Sequence, residues 1–246
     1  VVPGRRRPRG GASAVSSVVS SNETIVTAPQ HHFPDDLLRS YAVGAASEGA
    51  SLAVACHIAL CPVCHGNAAE HERVLDALLD ADAARAPAPN GELRDKLLAS
   101  LPPQDRSPPS PRKPRALPDG MPELPAPLLH KLGTLDDVAW HRLVPGIRAI
   151  DLAIGSAWRA RLVCFRPGIV IPVHDHGGAE HTVVFSGGLD DEDGHLGRGD
   201  AATMVPGHAH RQRSSPGEPC VALIVNEGPP RPLTLVGKVL KRLTRS

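Results

Sequence analysis

Aromatic side chains are nearly missing from this chain: two Trp, one Tyr and three Phe among 246 residues. A core must therefore come from Leu, Val, Ile and Ala, which a hydrophobic content of 41% allows. No apolar run reaches 18 residues, so no membrane-spanning helix is expected. Five cysteines cannot all pair within one chain, which excludes a complete intramolecular disulfide framework. A surplus of one charge sign is also absent, the formal net charge being +1. Residues 29–100 hold 10 acidic and 5 basic side chains, and residues 128–246 hold 12 and 14. Neither stretch has the positive excess of a nucleic-acid-binding surface. The acidic first stretch instead suits a basic protein partner.

The chain is long enough for one large domain or two small ones. Residues 1–28 begin Val-Val-Pro-Gly-Arg-Arg-Arg, which imitates the start of a secretion signal. Serines interrupt the apolar stretch that should follow, so these residues read as a disordered extension. Helical periodicity then takes over. Asp35 or Asp36 can cap a helix from about Leu37, and a second helix is expected over Glu48–Leu60, with Leu52, Ala55, Ala59 and Leu60 facing a core. Pro62 suits a helix start, where its missing N–H costs nothing. A third helix is expected over Val63–Leu79 and a fourth over Glu92–Leu101. The result is a small all-α bundle over residues 29–101, of a size that benefits from a metal staple. Ten prolines in residues 102–127 predict a semi-extended linker.

Beyond the linker, residues 128–246 change to period two with closely spaced glycine turns. Arg161–Arg166, His181–Phe185 and Cys220–Val225 are strand candidates. The pattern predicts an all-β sandwich or barrel of the jelly-roll type. No internal repeat and no phosphate-binding glycine loop is present.

Two groups of residues carry metal chemistry. His57 and Cys61 are four apart and share a helix face, and Cys64 follows across the turn at Pro62. These three can meet one ion, and the helix N-terminus should lower the thiol pKa. A fourth tetrahedral ligand must come from elsewhere. His32 is the first choice and His31 stays open. Cys56 points off this face and reads as a core or half-exposed residue. A thioredoxin-like redox pair is the competing reading, disfavoured by the missing βαβ context.

The second group is His174-x-His176-x3-Glu180, with His210 further on. His174 and His176 alternate along an extended segment and so share a face. Three imidazoles and a carboxylate suit Zn, Mn, Ni or Fe. His181, His195 and His208 read as ordinary surface or hydrogen-bonding histidines. Such sets support dioxygenase, isomerase or hydrolase chemistry when one coordination position stays open, but few acid–base partners flank this one. The two groups together point to a metal-stabilised regulator before an enzyme. Cys164 and Cys220, inside strand candidates, read as packing residues.

With these motifs in hand, the chain resembles the ChrR-type anti-sigma factors over residues 31–246. The resemblance rests on His31-His-Phe-Pro-Asp-Asp-Leu-Leu with His57-Ile-Ala-Leu-Cys-Pro-Val-Cys64, and on Pro172-Val-His-Asp-His-Gly-Gly-Ala-Glu180 with Pro206-Gly-His-Ala-His210. It implies a zinc-binding anti-sigma domain with ligands at His32, His57, Cys61 and Cys64. It also implies a C-terminal cupin barrel holding zinc or another divalent transition metal at His174, His176, Glu180 and His210. By the same resemblance the partner is an extracytoplasmic-function sigma factor. The chain would release it for transcription on oxidative signals such as singlet oxygen or organic hydroperoxides. The expected protein is cytoplasmic and not an enzyme, with no direct contact to nucleic acid or membrane. The alternative is a cupin metalloenzyme of dioxygenase type fused to a structural zinc domain. The proline-rich linker, its basic cluster and the arginine-rich start fall outside the family pattern.

Overall fold

A computed structural model describes residues 28–86, 90–101, 117–118, 120–135, 138–155, 159–228 and 231–233. The expected extension, apart from residue 28, and residues 102–116 of the expected linker lie outside the described residues.

Among the described residues five helices come first: α1 (Asp35–Ala42), α2 (Glu48–Ile58), α3 (Pro62–Ala83), α4 (Gly91–Ser100) and α5 (Ala126–Leu132). Ser47 caps α2 by accepting from the Ala50 N–H, and Asn90 caps α4 through the Glu92 N–H. Cys61 caps α3, its sulfur 3.5 Å from the Cys64 nitrogen, with Pro62 in the first turn. α1 starts at Asp35, behind Pro34 and without a side-chain cap. The buried positions of α2 include Ala53, Val54, Cys56 and His57. The expected core positions Ala55 and Ala59 are half-buried and exposed. Their places are taken because α2 meets helices on one side and a sheet on the other.

Eleven strands of the described residues follow: β1 (His141–Val144), β2 (Ile147–Leu152), β3 (Arg159–Phe165), β4 (Val170–Asp175), β5 (Glu180–Ser186), β6 (Leu189–Asp191), β7 (Gly194–Leu196), β8 (Ala201–Met204), β9 (His210–Ser214), β10 (Cys220–Asn226) and β11 (Arg231–Pro232). They form a six-stranded sheet in the order β1-β2-β3-β10-β5-β8 and a five-stranded sheet in the order β11-β4-β9-β6-β7. All the pairings within them are antiparallel. The expected barrel is in fact two sheets, because among the described residues no ladder joins the end strands into a closed ring.

The six-stranded sheet is covered on both faces. On one, Ile150, Leu162, Val183, Phe185 and Leu223 share a cluster with Phe33, Val54, Leu128 and Leu132 from the helical side. On the other, Val163, Phe165, Val184 and Ala222 pack with Leu189 and Leu196 of the second sheet. Double coverage explains why β10 reads Cys-Val-Ala-Leu-Ile-Val without polar alternation. Leu124, Leu128 and Leu132 are all buried, so the chain packs into the body before the first strand begins. Burying a leucine completely, as at Leu128, contributes roughly 2 kcal/mol.

Candidate metal centres

α2 ends at the first cluster and α3 begins there. The ligand atoms of His32, His57, Cys61 and Cys64 all lie within 4.8 Å of one another. His32 Nδ1 is 3.4 Å from Cys61 Sγ and 3.5 Å from Cys64 Sγ. The structure thus brings His32, rather than His31, to the sulfurs. His57 is completely buried; its Nδ1 lies 2.8 Å from the Gly199 carbonyl, and its Nε2 has no hydrogen-bond partner. A proton on Nδ1 satisfies the carbonyl and leaves the Nε2 lone pair facing the cluster, as a ligating imidazole requires. Burial, and then the neighbouring His32, hold the His57 pKa below its usual value and keep the ring neutral.

The Cys64 sulfur differs from expectation. Burial and the adjacent Cys61 push the Cys64 thiol up to about 12, outweighing the helix N-terminus that should have lowered it. Buried beside Cys61, the Cys64 thiol resists ionisation. Two imidazoles and two thiols with an unpaired buried nitrogen fit a tetrahedral zinc ion, which would be held as a closed, structural centre. Cys56 and Cys220 are also pushed up to about 12 by burial, in keeping with packing roles.

The second cluster lies at the end of β4. His174 pairs directly with His210 across the β4–β9 ladder, and His176 follows just beyond β4. The ligand atoms of these three histidines lie within 4.8 Å of one another. His176 Nε2 and His210 Nε2 face each other at 3.2 Å. His174 Nδ1 is turned to the Pro172 carbonyl at 3.0 Å, and His210 Nδ1 to Asp191 Oδ2 at 3.2 Å. With the outer nitrogens of His174 and His210 held and the Nε2 atoms of His176 and His210 facing each other, the trio suits a divalent transition metal; His176 Nδ1 is buried without a hydrogen-bond partner among the described residues.

Glu180 stands behind this trio. Its Oε2 is 3.6 Å from His176 Nδ1 and accepts from the Asn226 amide. Burial alone would raise the Glu180 pKa, but His176, His174 and Asn226 hold it below the usual carboxylate range. Asp175 accepts from the backbone N–H groups of His176 and Gly207 and so stiffens the turn. His181 points to the other face of β5, edge-on to Phe33 with ring centroids 5.7 Å apart. His195 and His208 pair with Asp190 and Asp193 at the surface.

Sequence reasoning missed Asp191, Asn226 and Asp200. Asp191 belongs to an acidic run, Asp190-Asp191-Glu192-Asp193, which reads locally as a solvated turn. Nothing in its own neighbourhood points to His210, 19 residues on. A cleft of about 410 Å³ opens beside both clusters, with His31, His32, Asp191, Thr203 and His208 among its lining residues.

Comparison with known proteins fits this arrangement. The ChrR cupin-like domain family matches residues 130–230. The anti-sigma-E factor ChrR of Cereibacter sphaeroides is 33% identical over 217 residues, covering 88% of this chain and 98% of the relative.

The chain belongs to the ChrR family.

The crystal structure of Rhodobacter sphaeroides SigE in complex with the anti-sigma ChrR matches with a TM-score of 0.64 and 32% identity. It covers 80% of this chain and 98% of that one. KdgF from Halomonas sp. matches 37% of the chain at 23% identity with a TM-score of 0.34. ChrR membership accounts for the order of the parts, helices first and the cupin-like β region after them. Among the described residues no helix is long and apolar enough to cross a membrane.

Proposed function

We propose that this protein is an anti-sigma factor whose N-terminal helical region binds an extracytoplasmic-function sigma factor. Alongside the full-length likeness to ChrR, the observation that carries this reading is the exposed apolar surface of α3 and α4. Val74, Leu78, Leu79, Leu93, Leu97 and Leu98 are all more than half exposed, and no residue of α4 is buried. An apolar surface of this extent on a charged helical region marks a protein-binding site. Residues 29–101 would form the sigma-binding part and residues 128–246 the cupin-like sensor, joined by the proline-rich stretch. Acting on a partner that works with RNA polymerase, the protein would sit in the cytoplasm.

His32, His57, Cys61 and Cys64 would hold zinc, fixing α2 and α3 in binding geometry. His174, His176 and His210 would hold zinc or another divalent transition metal, with Glu180, the further donor expected from the sequence, standing behind His176. Release would follow an oxidative signal such as singlet oxygen or an organic hydroperoxide. The test is co-purification of the full chain with the host's extracytoplasmic-function sigma factors, with and without a zinc chelator. A stable complex lost on chelation is expected. No complex with any of them from zinc-loaded protein would overturn the reading.

A second reading has one observation of its own. Three converging imidazoles with Glu180 set back leave room for an exchangeable ligand, as in a cupin metalloenzyme of dioxygenase type. Oxygen consumption by the metal-loaded protein with candidate substrates would favour it.

A further inference from the structure

We propose that Asp200, together with the Gly199 carbonyl, is a positioning residue for the sulfur–imidazole cluster. The loop of residues 197–200, between β7 and β8, then holds in place two of that cluster's four donors. The inference rests on the reading of His32, His57, Cys61 and Cys64 as a zinc site.

Three consecutive residues of the β region grip the helical region. Gly199 offers its carbonyl to His57 Nδ1 at 2.8 Å. Asp200 Oδ1 accepts from the backbone N–H groups of Gln30 at 2.6 Å and His31 at 2.9 Å. The other oxygen, Oδ2, accepts from the Gly197 N–H at 2.8 Å, so the carboxylate ties its own loop as well. Ala201 completes the grip by donating its N–H to the His31 carbonyl at 3.1 Å. Asp200 is only 5% exposed, and bonds to a buried carboxylate are stronger than neutral ones.

The fit is close at Gly199 as well. Its φ is +90°, and a Cβ there would stand 2.7 Å from Pro29 Cγ. Only glycine lets the backbone approach the incoming segment this nearly.

These contacts act on zinc ligands and not merely between two domains. A ligating histidine keeps its tautomer and ring orientation through the bond made by its other nitrogen. For His57 that bond ends on Gly199, 142 residues away in the sequence. His32 is exposed, and the residue before it is held through both its N–H and its carbonyl. The same loop joins β7, whose neighbour β6 carries the Asp191 that binds His210, to β8, whose neighbour β5 carries Glu180. Whatever shifts the loop changes the hold on zinc, and by linkage the reverse is also true.

The test uses the full chain as wild type and as Asp200→Ala, Asp200→Asn and Leu128→Ala. Leu128, on α5, is fully buried and, among the described residues, makes no hydrogen bond to the loop, so its variant is a control for general loosening. Each protein is loaded with Co²⁺ and read by its thiolate-to-cobalt charge-transfer band. Each is then loaded with Zn²⁺ and followed for release to a chelator. All four should show the band. Asp200→Ala should release zinc about ten-fold faster or more. Asp200→Asn, which keeps an acceptor toward Gln30 and His31, should fall between, and it decides the matter if the alanine variant does not fold. Release from both Asp200 variants at the wild-type rate would overturn the proposal. So would an equal acceleration in Leu128→Ala, which would make the effect one of overall stability. A wild type with no thiolate–cobalt band and no bound zinc would sink the zinc-site reading itself, and this inference with it.

Discussion

Phe33 meets the His57 ring edge-on, with centroids 5.3 Å apart. It stands the same way against His181 of β5, so one of only three phenylalanines joins the first metal cluster to the six-stranded sheet. Phe33→Ala should cost about 3–5 kcal/mol, read as a drop in the urea midpoint of the full chain. A loss below 1 kcal/mol would mean that the helical region and the sheet do not share their core in solution.

Replacing Cys61 and Cys64 together by serine should abolish zinc retention at the first cluster and with it binding of the sigma factor. Structural zinc binding contributes folding free energy, on the order of 10 kcal/mol in zinc-finger peptides, so the helical region should also melt earlier. Metal analysis, circular dichroism and co-purification read the three effects. Full inhibition by a stably folded, zinc-free double variant would refute the structural role of the metal.

On α4, Leu97→Asp and Leu98→Asp should eliminate partner binding while changing stability by less than about 0.5 kcal/mol, because neither side chain packs on the body. Binding by titration and stability by urea melts separate the two. A variant that binds normally would move the docking surface off α4.

Asp191 fastens His210 from behind, so Asp191→Ala should weaken metal binding at the three-histidine cluster by about 10- to 100-fold. Zinc release from the Cys61–Cys64 site gives an internal reference. Unchanged affinity at the second cluster would remove Asp191 from its support.

Much of both clusters was legible in the sequence, since their donors announce themselves by short spacings. The i, i+4 relation of His57 and Cys61 and the alternation of His174 and His176 depend on helix and strand geometry alone. The strands β3, β5 and β10 were legible for the same reason. Asp191 and Asp200 were not, because a supporting carboxylate carries no local mark; its meaning comes from a partner 19 or 170 residues distant. The packing of Leu124 was hidden by the prolines around it, which read as a linker, and the helix that buries Leu128 and Leu132 falls at the start of the stretch read as all-β. The raised thiol of Cys64 was missed because a helix N-terminus is visible in sequence and burial is not.

Acid should weaken the fold partly through His181. Burial lowers its pKa below the ordinary 6.5, more than Glu180 and Glu227 raise it. The unfolded chain therefore binds the proton more readily than the folded one. The contribution is intact above pH 6.5 and is lost as pH falls through that value toward the folded pKa. In urea melts between pH 7.5 and 5.5, His181→Gln should show a shallower decline than wild type. Parallel declines would mean that His181 titrates normally in the folded protein.

The uncovered leucines of α3 and α4 also bear on dosage in the cell. A copy made in excess of its partner carries a sticky face, the kind of surface that quality-control proteases and aggregation remove. Synthesis of the two proteins in matched amounts is then a requirement imposed by one helix pair, quite apart from any signal the β region receives.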